Sequence, residues 1–215
     1  MQERLTELTL DKEESKMLLE TYDKYRPIIK GFLAQASDRS DEHLTTELMF
    51  CLQTAQSSAK AARATVKRLQ ECGMLHTANV HQIHKCMEGV RFSEKKSEYL
   101  HKAREQIPLI KQQLGLPKEQ LREWLIENVK GMGPKLASHF MRNIGIFGLA
   151  ILDIHVQNFM VKNNVLKGEV GKLNMKQYLE NEKLYLQLAK QLEIPPEELD
   201  IAIWMAGNGT GEFYG

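Results

Sequence analysis

The chain has 215 residues with 29 Lys or Arg against 28 Asp or Glu, enough length to bury a core in one large domain or two small lobes and too balanced in charge for a global basic field. Any nucleic-acid site must therefore be a local patch. Three scattered cysteines (Cys51, Cys72, Cys86) fit a reducing cytosol better than a disulfide scaffold, the start (Met1-Gln2-Glu3-Arg4) opens with charge rather than a signal-peptide pattern, and no apolar run has membrane-spanning length, so the expectation is a soluble, cytoplasmic protein with free thiols and no membrane partner.

The apolar residues recur at helical period almost everywhere. Over 12–34 they form a stripe from Met17 to Leu33 with Pro27 inside it, which predicts one helix ending there and a further turn resuming. After a polar break at Asp38–Asp41, the segment from Leu44 to Leu52 is strongly apolar. Gln53 to Ser58 is polar and short-chained, reading as a helix end, a tight turn and a new N-cap. Ser58 to Gln70 is Ala-rich, with Lys60, Arg63 and Lys67 giving a basic face, and Gly73 ends it. A short helix covers 79–88. The loop Gly89-Val90-Arg91-Phe92 follows, then a helix capped by Ser93 and running to about Leu114, with Pro108 as an interruption. Lys118 to Asn128 and Pro134 to about Ile144 make two further helices. Residues 149–164 and 175–191 are helical, and Pro195-Pro196 opens a last helix through Trp204. The tail Gly207-Asn208-Gly209-Thr210-Gly211 is too glycine-rich to be helical. Without a strand pattern, the fold class is all-α.

Val129-Lys130-Gly131-Met132-Gly133-Pro134-Lys135-Leu136 is the most informative stretch. Gly131 and Gly133 permit positive φ and expose backbone N–H groups, and Pro134 suits the first turn of a helix. Bare N–H groups at a helix N-terminus bind anions. Lys135 lies one residue into that helix, and Asp153 follows eighteen residues later. A lysine and a carboxylate brought to one place beside a phosphate-binding hairpin point to amine chemistry on nucleic acid. His81 and His84, at i,i+3, are the nearest approach to a metal pair, and a solvated helix face accounts for them better than zinc.

The hairpin, Lys135 and Asp153 resemble the helix-hairpin-helix DNA glycosylase superfamily, and within it the second, archaeal-type family of 8-oxoguanine DNA glycosylase/lyases. Glu47 to Ser57 resembles that family's early helix and turn. Gly89-Val90-Arg91-Phe92 with Lys95-Lys96-Ser97-Glu98-Tyr99 resembles its arginine-phenylalanine loop and following helix, and Val129 to Asn143 with Asp153 completes the likeness. The resemblance implies a single glycosylase unit over 1–215, made of two helical lobes, with the helix-hairpin-helix at about 118–145. It also implies a monomer acting on damaged double-stranded DNA, with no iron–sulfur cluster, since no cysteine quartet follows the hairpin, and with a monovalent cation possible at the hairpin.

The resemblance assigns Lys135 as the amine that attacks C1′, expels an oxidised purine and forms a Schiff base before β-elimination. Asp153 is assigned as the carboxylate that stabilises the oxocarbenium-like charge and helps activate the lysine. A free lysine titrates near 10.4, so Lys135 needs desolvation or a cationic neighbour. Phe92 and Trp204 are matched to the pocket that holds the extruded base, and Gly131 and Gly133 to a backbone phosphate. Each has a plainer alternative: Asp153 as a helix N-cap, Lys135 as a solvated phosphate contact, the two aromatics as core, the glycines as a simple turn. Arg142 and His139 lie on the hairpin's second helix, His139 as a possible phosphate or water contact; Lys60, Arg63 and Lys67 could add backbone charge contacts, and Gln53 to Ser57 could form a wedge for the gap left by the flipped base. Archaeal-type members often end in a base-reading lysine, whereas this sequence ends Glu212-Phe213-Tyr214-Gly215; the terminal carboxylate or Tyr214 would replace it if the tail covers the pocket. The rivals to the enzymatic reading are a non-catalytic helix-hairpin-helix DNA-binding module and a glycosylase of the same fold for another lesion.

Overall fold

A computed structural model describes residues 8–208, and among them every regular element is a helix. The described residues divide into two compact units, one formed by residues 8–35 and 147–208, the other by Ala36–Ile146.

The first unit holds α1 (Lys12–Gln35), α9 (Ile154–Lys162), α10 (Met175–Gln191) and α11 (Pro196–Asn208). Leu18, Tyr22 and Ile29 put one face of α1 into a core shared with Phe159, Tyr178, Tyr185, Leu199 and Ile203. Pro27 does not end this helix, contrary to the sequence expectation; α1 runs through it unbroken. Asp23 and Pro27 are both exposed, so the carbonyl that loses its donor can be hydrated, and packing of the opposite face on α11 holds the helix together. The expected helix over 149–164 is also shorter. Residues 149–153 are non-helical because α10 captures their backbone: Glu182 Oε1 accepts from Ala150 N at 2.9 Å, and Tyr178 Oη donates to Ala150 O at 2.6 Å. Finally, α11 continues through Gly207 to Asn208 and does not stop at Trp204. The remaining tail, with Gly209, Thr210, Gly211 and Tyr214, lies outside the described residues.

The second unit contains α2 (Asp41–Gln53), α3 (Ala59–Glu71), α4 (Val80–Cys86), α5 (Ser93–Glu105), α6 (Ile107–Gln113), α7 (Lys118–Asn128) and α8 (Pro134–Asn143). Its centre is α2, packed against α3, α5, α6 and α8. Leu44, Leu48, Met49, Phe50 and Cys51 are wholly buried, so apolar residues face several sides, as a core helix requires. Ser40 caps α2 and Ser58 caps α3, each hydroxyl accepting from a backbone N–H at 3.2 Å. Ser93 does not cap α5, as the sequence suggested. Phe92, at φ 57°, is the N-cap residue without a side-chain bond, and Ser93 Oγ instead meets His84 Nε2 at 3.0 Å. The segment from 93 to 114 is two helices joined at Gln106, with Pro108 in the first turn of the second, where its missing N–H costs little.

Gly145, at φ +79°, turns the chain out of α8 where a Cβ would stand 2.9 Å from the carbonyl oxygen of Ala36. Gly145→Ala therefore combines left-handed strain with a clash against backbone. We expect a loss of about 2 kcal/mol or more, read as a fall of roughly 4–8 °C in Tm at unchanged far-UV circular dichroism; an unchanged Tm would contradict this packing.

Candidate active site

The helix-hairpin-helix consists of α7, the turn Val129–Gly133 and α8. Only one of its two glycines needs the left-handed region: Gly131 has φ +89°, while Gly133 is extended at φ −120°, ψ 176°, which any residue can adopt. Gly131 also lies on the ring of Tyr99, where a Cβ would come within 2.5 Å of Cδ2. The ammonium groups of Lys130 and Lys95 flank that ring at 5.6 and 5.9 Å from its centre. Gly133 takes the N-cap position of α8 without a side-chain bond, and Pro134 opens the helix. The first turn of α8 thus offers backbone N–H groups in the manner of an anion site.

Lys135, partly buried, lies in this first turn while the apolar side of α8, Leu136, Ala137, Phe140 and Met141, is in the core. Its Nζ donates to Thr54 Oγ1 over a long 3.4 Å. The direction of that bond is set by Thr54, whose own proton goes to the carbonyl of Cys51 at 2.8 Å. An uncharged Lys135 spending one N–H on Thr54 would keep its lone pair for an electrophile. Beneath it, the Cys51 thiol is fully buried, and burial, followed by the negative charge of Glu47, pushes its titration far up; the charges of Lys135, Arg142 and Arg63 act the other way. Cys51 is inert at neutral pH.

Several residues expected at the surface are internal. Arg142 and His139 are 4 % and 8 % exposed, so neither lines a phosphate track; the His139 ring stands edge-on to Phe50, centroids 5.5 Å apart. Arg63 donates to both oxygens of Glu47, at 2.7 and 3.2 Å, and lies 3.8 Å above the Phe50 ring. Glu47 also accepts from Asn143 Nδ2 at 2.6 Å. This buried carboxylate joins α2, α3 and α8. Lys60 is exposed and Lys67 is 3.7 Å from Glu71, as a solvated face allows.

The turn after α2 is tied down more firmly than a free wedge. Gln53 is fully buried, and Gln56 adopts φ 56°. Lys96, only 7 % exposed, donates to Gln53 O at 2.8 Å, Ala55 O at 2.6 Å and Ser57 Oγ at 3.0 Å. Ser57 Oγ accepts in turn from the backbone N–H of Arg91 at 2.9 Å. The turn therefore links Lys135, through Thr54, with the Arg91–Phe92 loop. Phe92 is 60 % exposed, which removes it from the core and leaves its ring available, with the Arg91 guanidinium 5.7 Å from its centre. The sequence reading missed Lys96, yet a signal was present: Lys96, Leu100 and Ala103 are spaced i, i+4, i+7 on the buried side of α5.

Asp153 and Trp204 belong to the other unit. Asp153 is the N-cap of α9, Oδ1 accepting from Val156 N at 2.9 Å. The plainer alternative for this residue is thus realised, and it occupies one carboxylate oxygen. The preceding backbone is held by Gln157, whose Nε2 donates to Leu152 O at 3.0 Å. Trp204 is partly buried against the core of its unit on α11, which packs on α9. Among the described residues no cluster of three His, Cys, Asp or Glu could hold a metal ion, and no helix is long and apolar enough to cross a membrane.

Two predictions arise from the buried charges. Glu47→Ala leaves Arg63 and Asn143 without their shared acceptor and should cost about 3–5 kcal/mol in urea unfolding; a loss under 1 kcal/mol would show that the network is dispensable. Burial, then the charge of Arg91, pulls the Lys96 ammonium down to about 8 from 10.5. Between those values the unfolded chain binds the extra proton, so this group's contribution to stability is least favourable below about 8 and improves as pH rises toward 10.5. The Tm difference between the protein and Lys96→Met should move in favour of the protein from pH 7 to pH 9.5. A constant difference would refute the shift.

Comparison with known proteins agrees with this architecture. The 8-oxoguanine DNA glycosylase family profile matches residues 26–194. A relative from Korarchaeum cryptofilum named 8-oxoguanine DNA glycosylase/AP lyase is 34 % identical over 175 residues, 80 % of this chain and 83 % of its own. One of the same name from Fusobacterium nucleatum is 30 % identical over 209 residues, covering 92 % and 95 %. Among solved structures, the 8-oxoguanine DNA glycosylase of Thermotoga maritima superposes with a TM-score of 0.83 at 27 % identity, covering 94 % of this chain and 99 % of that one. The Methanocaldococcus jannaschii 8-oxoguanine glycosylase/lyase, bound to a 15mer DNA containing 8-oxoguanine, gives 0.81 at 26 % identity, covering 93 % and 99 %. A profile match over most of the sequence, on an all-helical chain with a hairpin opening onto Lys135, means that this protein belongs to the 8-oxoguanine DNA glycosylase family.

Proposed function

We propose that the protein is a base-excision-repair DNA glycosylase and AP lyase that removes oxidised purine, 8-oxoguanine first, from damaged double-stranded DNA, acting as a monomer in the cytoplasm on the chromosome. The observation that carries the reading is Lys135: a partly buried amine in the first turn of the hairpin's second helix, donating to a threonine whose own proton is committed elsewhere. Family membership and the names of the relatives support the same activity.

In the proposed reaction the Lys135 lone pair forms the N–C1′ bond as the C1′–N9 bond breaks, and the purine leaves with that electron pair and takes up a proton. Asp153 stabilises positive charge at C1′ as it develops. Loss of a proton from nitrogen and opening of the C1′–O4′ bond give the imine. Abstraction of a C2′ proton then expels the 3′ phosphate and nicks the strand. The exposed ring of Phe92 and the indole of Trp204 are the proposed stacking faces for the extruded base. Gly131 and Gly133 present the hairpin backbone to a phosphate. A monovalent cation there would meet hard carbonyl oxygen donors, which suit it. The amine chemistry calls for no iron–sulfur cluster.

Borohydride trapping tests the reading. Incubated with duplex carrying 8-oxoguanine and then reduced, the protein should form a covalent adduct that Lys135→Gln abolishes, while Asp153→Asn slows base release on the order of 100-fold. Failure to trap with 8-oxoguanine or abasic duplex would favour a non-catalytic binding module. Trapping only with another lesion in a panel of uracil and alkylated purines would reassign the substrate.

A further inference from the structure

A charged side chain is seldom buried unless it is fully hydrogen-bonded, and Lys96 is 7 % exposed with its ammonium on three oxygens of one turn. The turn itself is strained, since Gln56 holds φ 56° without being glycine, a conformation that persists only where its surroundings over-determine it. Each end of the clamp touches a different part of the candidate site. Between the two clamped carbonyls, of Gln53 and Ala55, lies Thr54, whose hydroxyl accepts from Lys135 Nζ at 3.4 Å. At the other end Ser57 Oγ accepts from Lys96 and from Arg91 N, next to Phe92.

A neutral side chain of similar length could fill this space without the cost of desolvating a charge, but it could not bridge two carbonyls and a hydroxyl at once. We propose that Lys96 is a positioning residue for the lyase reaction: by clamping the Gln53–Ser57 turn it sets Thr54 against the Lys135 amine and anchors the loop that presents Phe92. The inference rests on the proposed amine chemistry of Lys135 and adds to it a second lysine that never touches substrate.

The experiment is single-turnover borohydride trapping on abasic and 8-oxoguanine duplexes with the protein, Lys96→Met, Lys96→Arg and Ser57→Ala. DNA affinity is measured separately by anisotropy on a non-cleavable abasic analogue. Lys96→Met should lower the saturating trapping rate at least tenfold with Kd changed less than threefold, and Lys96→Arg, which keeps the charge and several donors, should recover part of the rate. Ser57→Ala, which removes one acceptor, should lower the rate three- to tenfold. A Lys96→Met protein that is folded by circular dichroism and traps at the native rate overturns the proposal, as does a loss confined to Kd. If Lys96→Met does not fold, Ser57→Ala decides: a native rate overturns the proposal and a reduced one at native Kd supports it. Absence of any adduct with the unaltered protein would instead refute the amine chemistry itself.

Discussion

Within the Ala36–Ile146 unit, the carboxylate of Glu47 is the constraint on which the arrangement around Lys135 depends. It sits on the central helix α2, is nearly inaccessible to water, and is shared by the guanidinium of Arg63 from α3 and the amide of Asn143 from the end of α8. A buried carboxylate paired in this way adds little net stability over apolar packing, but it ties α2, α3 and α8 to one arrangement that satisfies all three groups. Sliding α8 by one turn, about 5.4 Å, would strand a buried charge. The opposite end of the same helix carries Lys135, so a polar contact at the C-terminus of α8 sets the placement of an amine at its N-terminus.

The hairpin region shows division of labour between neighbouring glycines. Gly131 supplies a backbone conformation that other residues rarely adopt and a surface flat enough to rest on Tyr99. Gly133 contributes only an extended N-cap without a side chain, leaving the first turn of α8 open to an incoming anion. The distinction matters chemically: the first glycine shapes the turn and the second clears the approach.

Much of this was legible in the amino-acid sequence because helices announce themselves by period and punctuation. The boundaries at Ser58, Lys118 and Pro134 follow from local capping and turn rules, and α3, α7 and α8 start there or one residue on. Where expectation failed, the deciding partner was distant in sequence. Pro27 reads as a break, yet the packing of α1 on α11 overrides it; residues 149–153 read as helix, but Tyr178 and Glu182 claim their backbone. Arg63, His139 and Arg142 read as surface cations or contacts because charge predicts exposure, and only the fold reveals Glu47 and Phe50 beside Arg63 and His139. The hairpin around Gly131 and Lys135 was visible as residue types at characteristic spacing; the clamp formed by Lys96 was not, since its three acceptors lie some forty residues upstream.

The burial of Cys51 has a bearing on the conditions under which such an enzyme would work. Peroxides attack thiolates, and a sulfur sealed in the core with its proton firmly held offers none. Cys72, by contrast, is exposed, at the C-cap of α3, where a sulfenic acid or a glutathione cap can form. An oxidant in solution would therefore meet the thiol of Cys72 and leave the sulfur beneath Lys135 reduced.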